Sequence, residues 1–209
     1  HTWEWLKIVE RHTNTKLFPL MGYLDSEPVG IYPVFLKKMK PFNLLFSPPP
    51  KALLLYLGPA FLESEKMKES KKTRRIIEFH KSVDKFVIDE LKSSYIRVRT
   101  VPGFIDMRPY IYTHYKVEPL YTYKIKLGKV EDVWMSFNKQ VRTDINKTIR
   151  EGVKIEIGHK EDLDYIRDSL RIRFDEQGLK PQKDYYRKYL LDLYNKFYPE
   201  NMKIFIAKY

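Results

Sequence analysis

Residues 134–153, WMSFNKQVRTDINKTIREGV, hold side chains suited to binding a phosphate. At about 100° per residue around a helix, Trp134, Phe137, Val141, Ile145 and Ile149 form one face. Lys139, Arg142, Lys147 and Arg150 spread over the other. Arg142 falls at the edge of the basic arc, beside the apolar stripe near Ile149. Packing can hold an arginine there while its planar fork faces a groove, which suits two parallel hydrogen bonds to a phosphate. Lys139 and Lys147 would add supporting charge. The same pattern also describes an ordinary surface helix packed on a core, and both readings stay open.

A second group lies upstream. Asp106 could act as a general base, although an aspartate two residues from Arg108 also reads as a paired turn residue. Tyr110 and Tyr123 could line a pocket, but with 16 tyrosines in the chain packing is the stronger explanation for each. The residues offer a candidate acid–base group and cations for an anionic ligand, and leave the reaction open.

Other chemistries find less support. The sequence has no cysteine, so neither disulfides nor thiolate catalysis. No Gly-x-Gly occurs, so the backbone cradle for a coenzyme A pyrophosphate is missing. There is no Gly-x-Ser-x-Gly, Walker loop or His-Glu-x-x-His, and the five histidines are scattered, which suggests no metal. No apolar run approaches the roughly 18 residues of a membrane span, and no signal peptide is visible in the residues given. Lys and Arg outnumber Asp and Glu by 39 to 27, a net charge of +12. That bias attracts anionic partners without choosing among RNA, nucleotide-linked substrates, acyl-CoA and an anionic membrane surface.

The elements that must position these residues follow from periodicity. TWEWLKIVER reads as a helix with Trp5, Ile8 and Val9 on one side. KLFPLMGYL and VGIYPVFLKK read as strands joined by a turn at Asp25-Ser26-Glu27-Pro28, and FNLLFS as a third strand. Pro48-Pro49-Pro50 forces an extended loop, and ALLLYLGPAFL is either a strand or a buried loop. A long helix is expected from about Lys66 to Ser93, with Ile76, His80, Val83, Val87 and Leu91 as its stripe and His80 as a packed core histidine. Its basic start, KMKESKKTRR, reads as a solvated face. SYIRVRTV reads as a strand, PGFIDMRPY as a turn-bearing connection, and TYKIKL as a strand burying Tyr123, Ile125 and Leu127. The Trp134–Gly152 helix comes next, then a strand at VKIEIG. Helices follow at EDLDYIRDSLRIRFDEQ, closed by Gly178, and KDYYRKYLLDLYNKF, closed by Pro199. MKIFIAKY is a final strand. The alternation predicts a mixed α/β fold. The chain opens inside a helix and stops on a lone strand, so we expect a piece of a longer protein.

Trp134-x-x-Phe137-x-Lys139-x-x-Arg142-x-Asp144-Ile145-x-Lys147, followed by Glu151-Gly152-Val153, resembles the signature helix of the FemAB family, the peptidoglycan-bridge aminoacyl transferases and their GNAT-like relatives. Other stretches agree in order: Thr2-Trp3-Glu4-Trp5, Ser47-Pro48, Gly58-Pro59, Asp106-x-Arg108-Pro109-Tyr110, Thr122-Tyr123, Arg173 to Gly178, and Tyr185-Tyr186. The resemblance implies two GNAT-like folds in tandem, the first spanning residues 1–128 and the second only begun by residues 129–209. It implies a cytoplasmic transferase acting on an amine, with aminoacyl-tRNA or acyl-CoA as donor and a nucleotide- or lipid-linked cell-wall peptide as acceptor, no resident cofactor, and membrane-surface contact allowed. It adds Lys7 as a phosphate contact from the opening helix. An RNA-binding module without catalysis and an acyl-CoA-dependent N-acyltransferase are the alternatives.

Overall fold

The computed structural model describes residues 2–62, 67–178 and 185–209. The chain divides into two compact units, His1–Leu120 and Tyr121–Tyr209.

The first unit is built on a mixed sheet. Strands β1 (Lys16–Leu24), β2 (Glu27–Met39) and β3 (Phe42–Ser47) run antiparallel as a meander, and β5 (Tyr95–Val98) adds parallel to β3. The short β4 (Ala60–Phe61) pairs with β2 at Gly30 and Ile31. The rest of ALLLYLGPAFL is loop, apart from a single bridge between Leu57 and Thr100. The β1–β2 turn falls at Asp25, whose positive φ of 54° is tolerated by a short polar side chain. Pro19 and Pro33 face each other across the ladder, where neither needs an N–H to donate. Pro33 instead accepts a hydrogen bond through its carbonyl from Ser47 Oγ at 2.7 Å.

Residues Tyr32 to Leu36 are buried without interruption, the signature of a central strand covered on both faces. One face meets helix α2 (Glu69–Lys85) and its π-helical continuation Phe86–Glu90, where Phe79, Val83 and Val87 join Tyr32, Val34, Leu36 and Leu45 in one core. Gly22 makes that approach feasible: a Cβ there would meet the Phe79 ring at 2.1 Å. Helix α1 (Trp3–Thr13) buries Leu6, Ile8 and Val9, and its Glu10 carboxylate accepts the Leu17 N–H at 2.7 Å, tying helix to strand. The long-helix stripe is as expected, with His80 buried. The expected start at Lys66 lies outside the described residues.

In the second unit, β6 (Lys154–Gly158) and β7 (Ile204–Lys208) form an antiparallel pair. Helices α6 (Asp162–Glu176) and α7 (Tyr185–Phe197) pack on it through Leu163, Ile166, Leu190, Leu191, Tyr194, Ile204 and Ile206. The expected α7 start at Lys183 lies outside the described residues.

Two expectations are corrected here. TYKIKL is not a strand: residues 121–129 have no regular structure and pair with nothing, so Tyr123 is 100% exposed and Leu127 84%. The alternation is present, but a strand also needs a neighbour to hydrogen-bond, and none lies beside it among the described residues. The Trp134–Gly152 helix is also two helices. The first short helix after Arg108–Tyr112, which is α3, is α4 (Val130–Ser136); α5 (Lys139–Arg150) follows after a break at Phe137 and Asn138. Asn138 explains the break, because its side-chain oxygen accepts the Val141 N–H at 2.9 Å and starts a new helix.

Candidate functional site

Helix α5 carries the basic group. Its last turn ends at Gly152, whose φ of +93° is the left-handed conformation expected there. No residue of α4 or α5 is buried, and Ile149 is 61% exposed. The apolar stripe is therefore partly covered, with Trp134, Phe137 and Ile145 half-buried and Val141 and Ile149 exposed, and the basic arc beside it faces outward.

Arg142 is half-buried and already partly engaged. Its Nη1 donates to the carbonyls of Phe137 at 2.8 Å and Met135 at 3.1 Å. The last carbonyls of a helix lack partners within it, and the guanidinium supplies them across the α4–α5 joint. Among the described residues no other hydrogen bond reaches the Arg142 guanidinium, which leaves Nε and Nη2 as its uncommitted edge.

Lys139 opens α5 three residues before Arg142, about 60° around the axis and one turn away. Lys147 sits about 140° from Arg142 around the same axis, and its ammonium lies 3.8 Å from Glu151. One phosphate can meet Arg142 and Lys139 together, whereas Lys147 points elsewhere. Asp144 is held by Gln140 Nε2 at 2.8 Å.

In the first unit, Asp106 and Arg108 form a tight pair. Arg108 donates to the Asp106 carboxylate from Nη2 at 2.7 Å, from Nε at 2.8 Å and from its backbone N–H at 3.2 Å. Those side-chain hydrogen bonds hold the Asp106 carboxyl below its ordinary range, outweighing burial, which acts the other way. Such a carboxylate is a weak base at neutral pH.

Tyr110 follows on α3 and is buried, its hydroxyl 3.3 Å from that of Tyr32. Burial pushes its phenol well above the ordinary value. Lys7 is on α1, ion-paired with Glu10 and 5.7 Å from the centre of the Trp3 ring. The predicted residues thus fall into separate groups: Lys139 with Arg142 on α5, Asp106 with Arg108 before α3, Tyr110 in the core, and Lys7 on α1.

Sequence reasoning missed the α4–α5 joint, although Asn138 three residues before Val141 is a legible helix start. It also missed the partners of His80, because Tyr32, Tyr110 and Tyr115 reach it from separate segments.

No protein family and no curated protein matches the chain by sequence. A solved structure does: the crystal structure of FemX aligns with TM-score 0.62 over 99% of this chain, at 14% identity. The chain has a FemX-like fold. It spans about half of FemX, 51% of that chain. The mixed α/β, GNAT-like fold class is therefore as expected. No described helix is long and apolar enough to cross a membrane.

Proposed function

We propose that this chain is part of a FemAB-type transferase that moves an aminoacyl group from aminoacyl-tRNA onto the amine of a nucleotide- or lipid-linked cell-wall peptide. The observation carrying the reading is the FemX-like fold over 99% of the chain, in a sequence that independently carries the signature-helix residues of that family. The proposal includes two GNAT-like folds in tandem, with residues 129–209 opening the second, and a cytoplasmic location. An acyl group is the alternative cargo; the missing Gly-x-Gly cradle disfavours coenzyme A as its carrier.

In the reaction, the neutral amine attacks the ester carbonyl of the donor. The carbon–oxygen ester bond breaks, and the tRNA hydroxyl leaves with the proton the amine gives up. Arg142 contributes its Nε–Nη2 edge to an acceptor phosphate, with Lys139 as the neighbouring cation on α5 and Lys147 farther round the same helix; Lys7 on α1 is a separate candidate phosphate contact of the first unit. Because Nη1 is committed to Met135 and Phe137, the phosphate meets an arginine already fixed in place. Asp106, the candidate base, serves this scheme better by orienting a donor group than by removing a proton, since the hydrogen bonds from Arg108 lower its proton affinity. Tyr110 acts from behind, by packing the segment that carries Asp106.

The test is calorimetric titration of the protein with a UDP-linked muropeptide. Lys139→Gln removes charge without touching the α4–α5 joint, and Arg142→Lys keeps charge but loses the planar fork. Weaker binding in both, at unchanged helical content, supports the phosphate assignment. Unchanged binding in both would remove it from α5. Salt-steep RNA binding with no muropeptide binding would instead favour the RNA-binding module.

A further inference from the structure

The core of the first unit contains a polar cluster that takes no part in the proposed chemistry. His80 on α2 is 1% exposed and enclosed by three tyrosines. The Tyr110 ring meets it edge-on with centres 4.0 Å apart, and the rings of Tyr32 and Tyr115 lie 5.9 Å away. These come from different places: Tyr32 from β2, Tyr110 from α3, and Tyr115 from the segment after α3. Asp84, one turn along α2, is also buried, and its Oδ1 accepts the Tyr115 hydroxyl at 2.7 Å.

The cluster is incompletely satisfied. Among the described residues, His80 Nε2 and Asp84 Oδ2 are buried without a hydrogen-bond partner. A proton added at Nε2 would create a buried cation whose new N–H has no acceptor, a costly arrangement. Burial accordingly lowers the His80 pKa, with Asp84 acting in the opposite direction but not prevailing. The three phenols are raised by burial and stay neutral throughout the range in which histidine titrates. The cluster is also where α3 is held to α2. Beyond it, the tie found between the two helices is Arg108 Nη2 to Thr73 Oγ1 at 3.3 Å, on the surface.

We infer that His80 is a pH-sensitive latch: while neutral it clamps α3 and the Tyr115 segment onto α2, and its protonation releases them, loosening the Asp106–Tyr112 stretch. A histidine whose folded value lies below its free value stabilises nothing extra above about pH 6.5. As pH falls below that value, the opened state binds the proton more readily. The equilibrium then shifts toward opening by about tenfold per pH unit, until the folded value is reached.

Amide hydrogen exchange on the whole chain, corrected for intrinsic rates, tests this at pH 6.5 and 5.5. The reporters are the Tyr110 N–H, bonded to Met107 O, and the Tyr115 N–H, bonded to Tyr110 O. Their protection should fall by up to about fivefold over that unit, because a free histidine is already about half protonated at pH 6.5, and His80→Phe, which keeps a ring but cannot titrate, should abolish the loss. Should that variant fail to fold, the wild-type imidazole resonance decides alone. A midpoint below the free value supports the latch, and one at or above it overturns the latch. Protection that does not change with pH, or changes equally in His80→Phe with Asp84 still present, also overturns it.

Discussion

The two units treat polar chemistry in opposite ways. Between His1 and Leu120 the polar groups go inside: Thr13, Ser47, His80 and Asp84 are all buried, and Tyr32 and Tyr110 place hydroxyls in the core. Among the described residues between Tyr121 and Tyr209 fewer polar groups are buried, Tyr189 being the main one, and α5 displays its basic arc at the surface. A buried network fixes one conformation because each group costs free energy when its partners are lost. An exposed basic helix contributes little stability and remains available to a ligand. On the function proposed above, this contrast makes the first unit the scaffold and α5 the candidate binding surface.

Substitution should expose the difference in size. Leu45, fully buried in the first core, should cost about 2–5 kcal/mol when changed to Ala, measured by urea unfolding. Ile149→Ala on α5 should cost less than about 0.5 kcal/mol. Comparable costs would mean the α5 stripe is packed in solution and would break the contrast. Next in size, Asn138→Ala should remove about 1 kcal/mol of helix stability through the lost cap to Val141. Hydrogen exchange at the Val141 amide reads that loss directly, and an unchanged rate would mean the α4–α5 break is held by Arg142 alone.

Much of this was legible in advance, for a physical reason. β1, β2, β3, β6 and β7 follow from local alternation or apolar runs between turn residues, and α1 and α6 from their apolar spacing. TYKIKL shows the limit of that logic, because alternation reports which side chains could be buried and not whether a partner strand exists. The apolar residues from Trp134 to Ile149 continue across Phe137, which hides the break that Asn138 makes. Arg142 could be singled out as a fork beside the stripe, but its bonds to Met135 and Phe137 arise only once the chain turns there. The enclosure of His80 was out of reach, since Tyr32 and Tyr115 lie far from it in sequence.

The smallest expected effect concerns Asp106. Its folded pKa is depressed by Arg108, so the pair's contribution is present above the ordinary aspartate value and is lost as pH falls through the lower folded one. Asp106→Asn should therefore lower stability slightly at pH 7, where the exposed pair's contribution is fully present, and flatten the acid limb of the unfolding profile where that contribution would otherwise be lost. If it instead abolished catalysis without altering that profile, Asp106 would be the base after all.

The most direct test of the whole account is a transfer assay on the protein that contains this chain, under single-turnover conditions. Aminoacyl-tRNA carrying a labelled amino acid is mixed with the cell-wall peptide acceptor, with labelled acyl-CoA as the parallel donor. The account predicts label moving from tRNA to the acceptor amine, and transfer reduced when Arg142 is changed to Lys or Lys139 to Gln. Transfer from acyl-CoA alone, or transfer from tRNA indifferent to both substitutions, would contradict it.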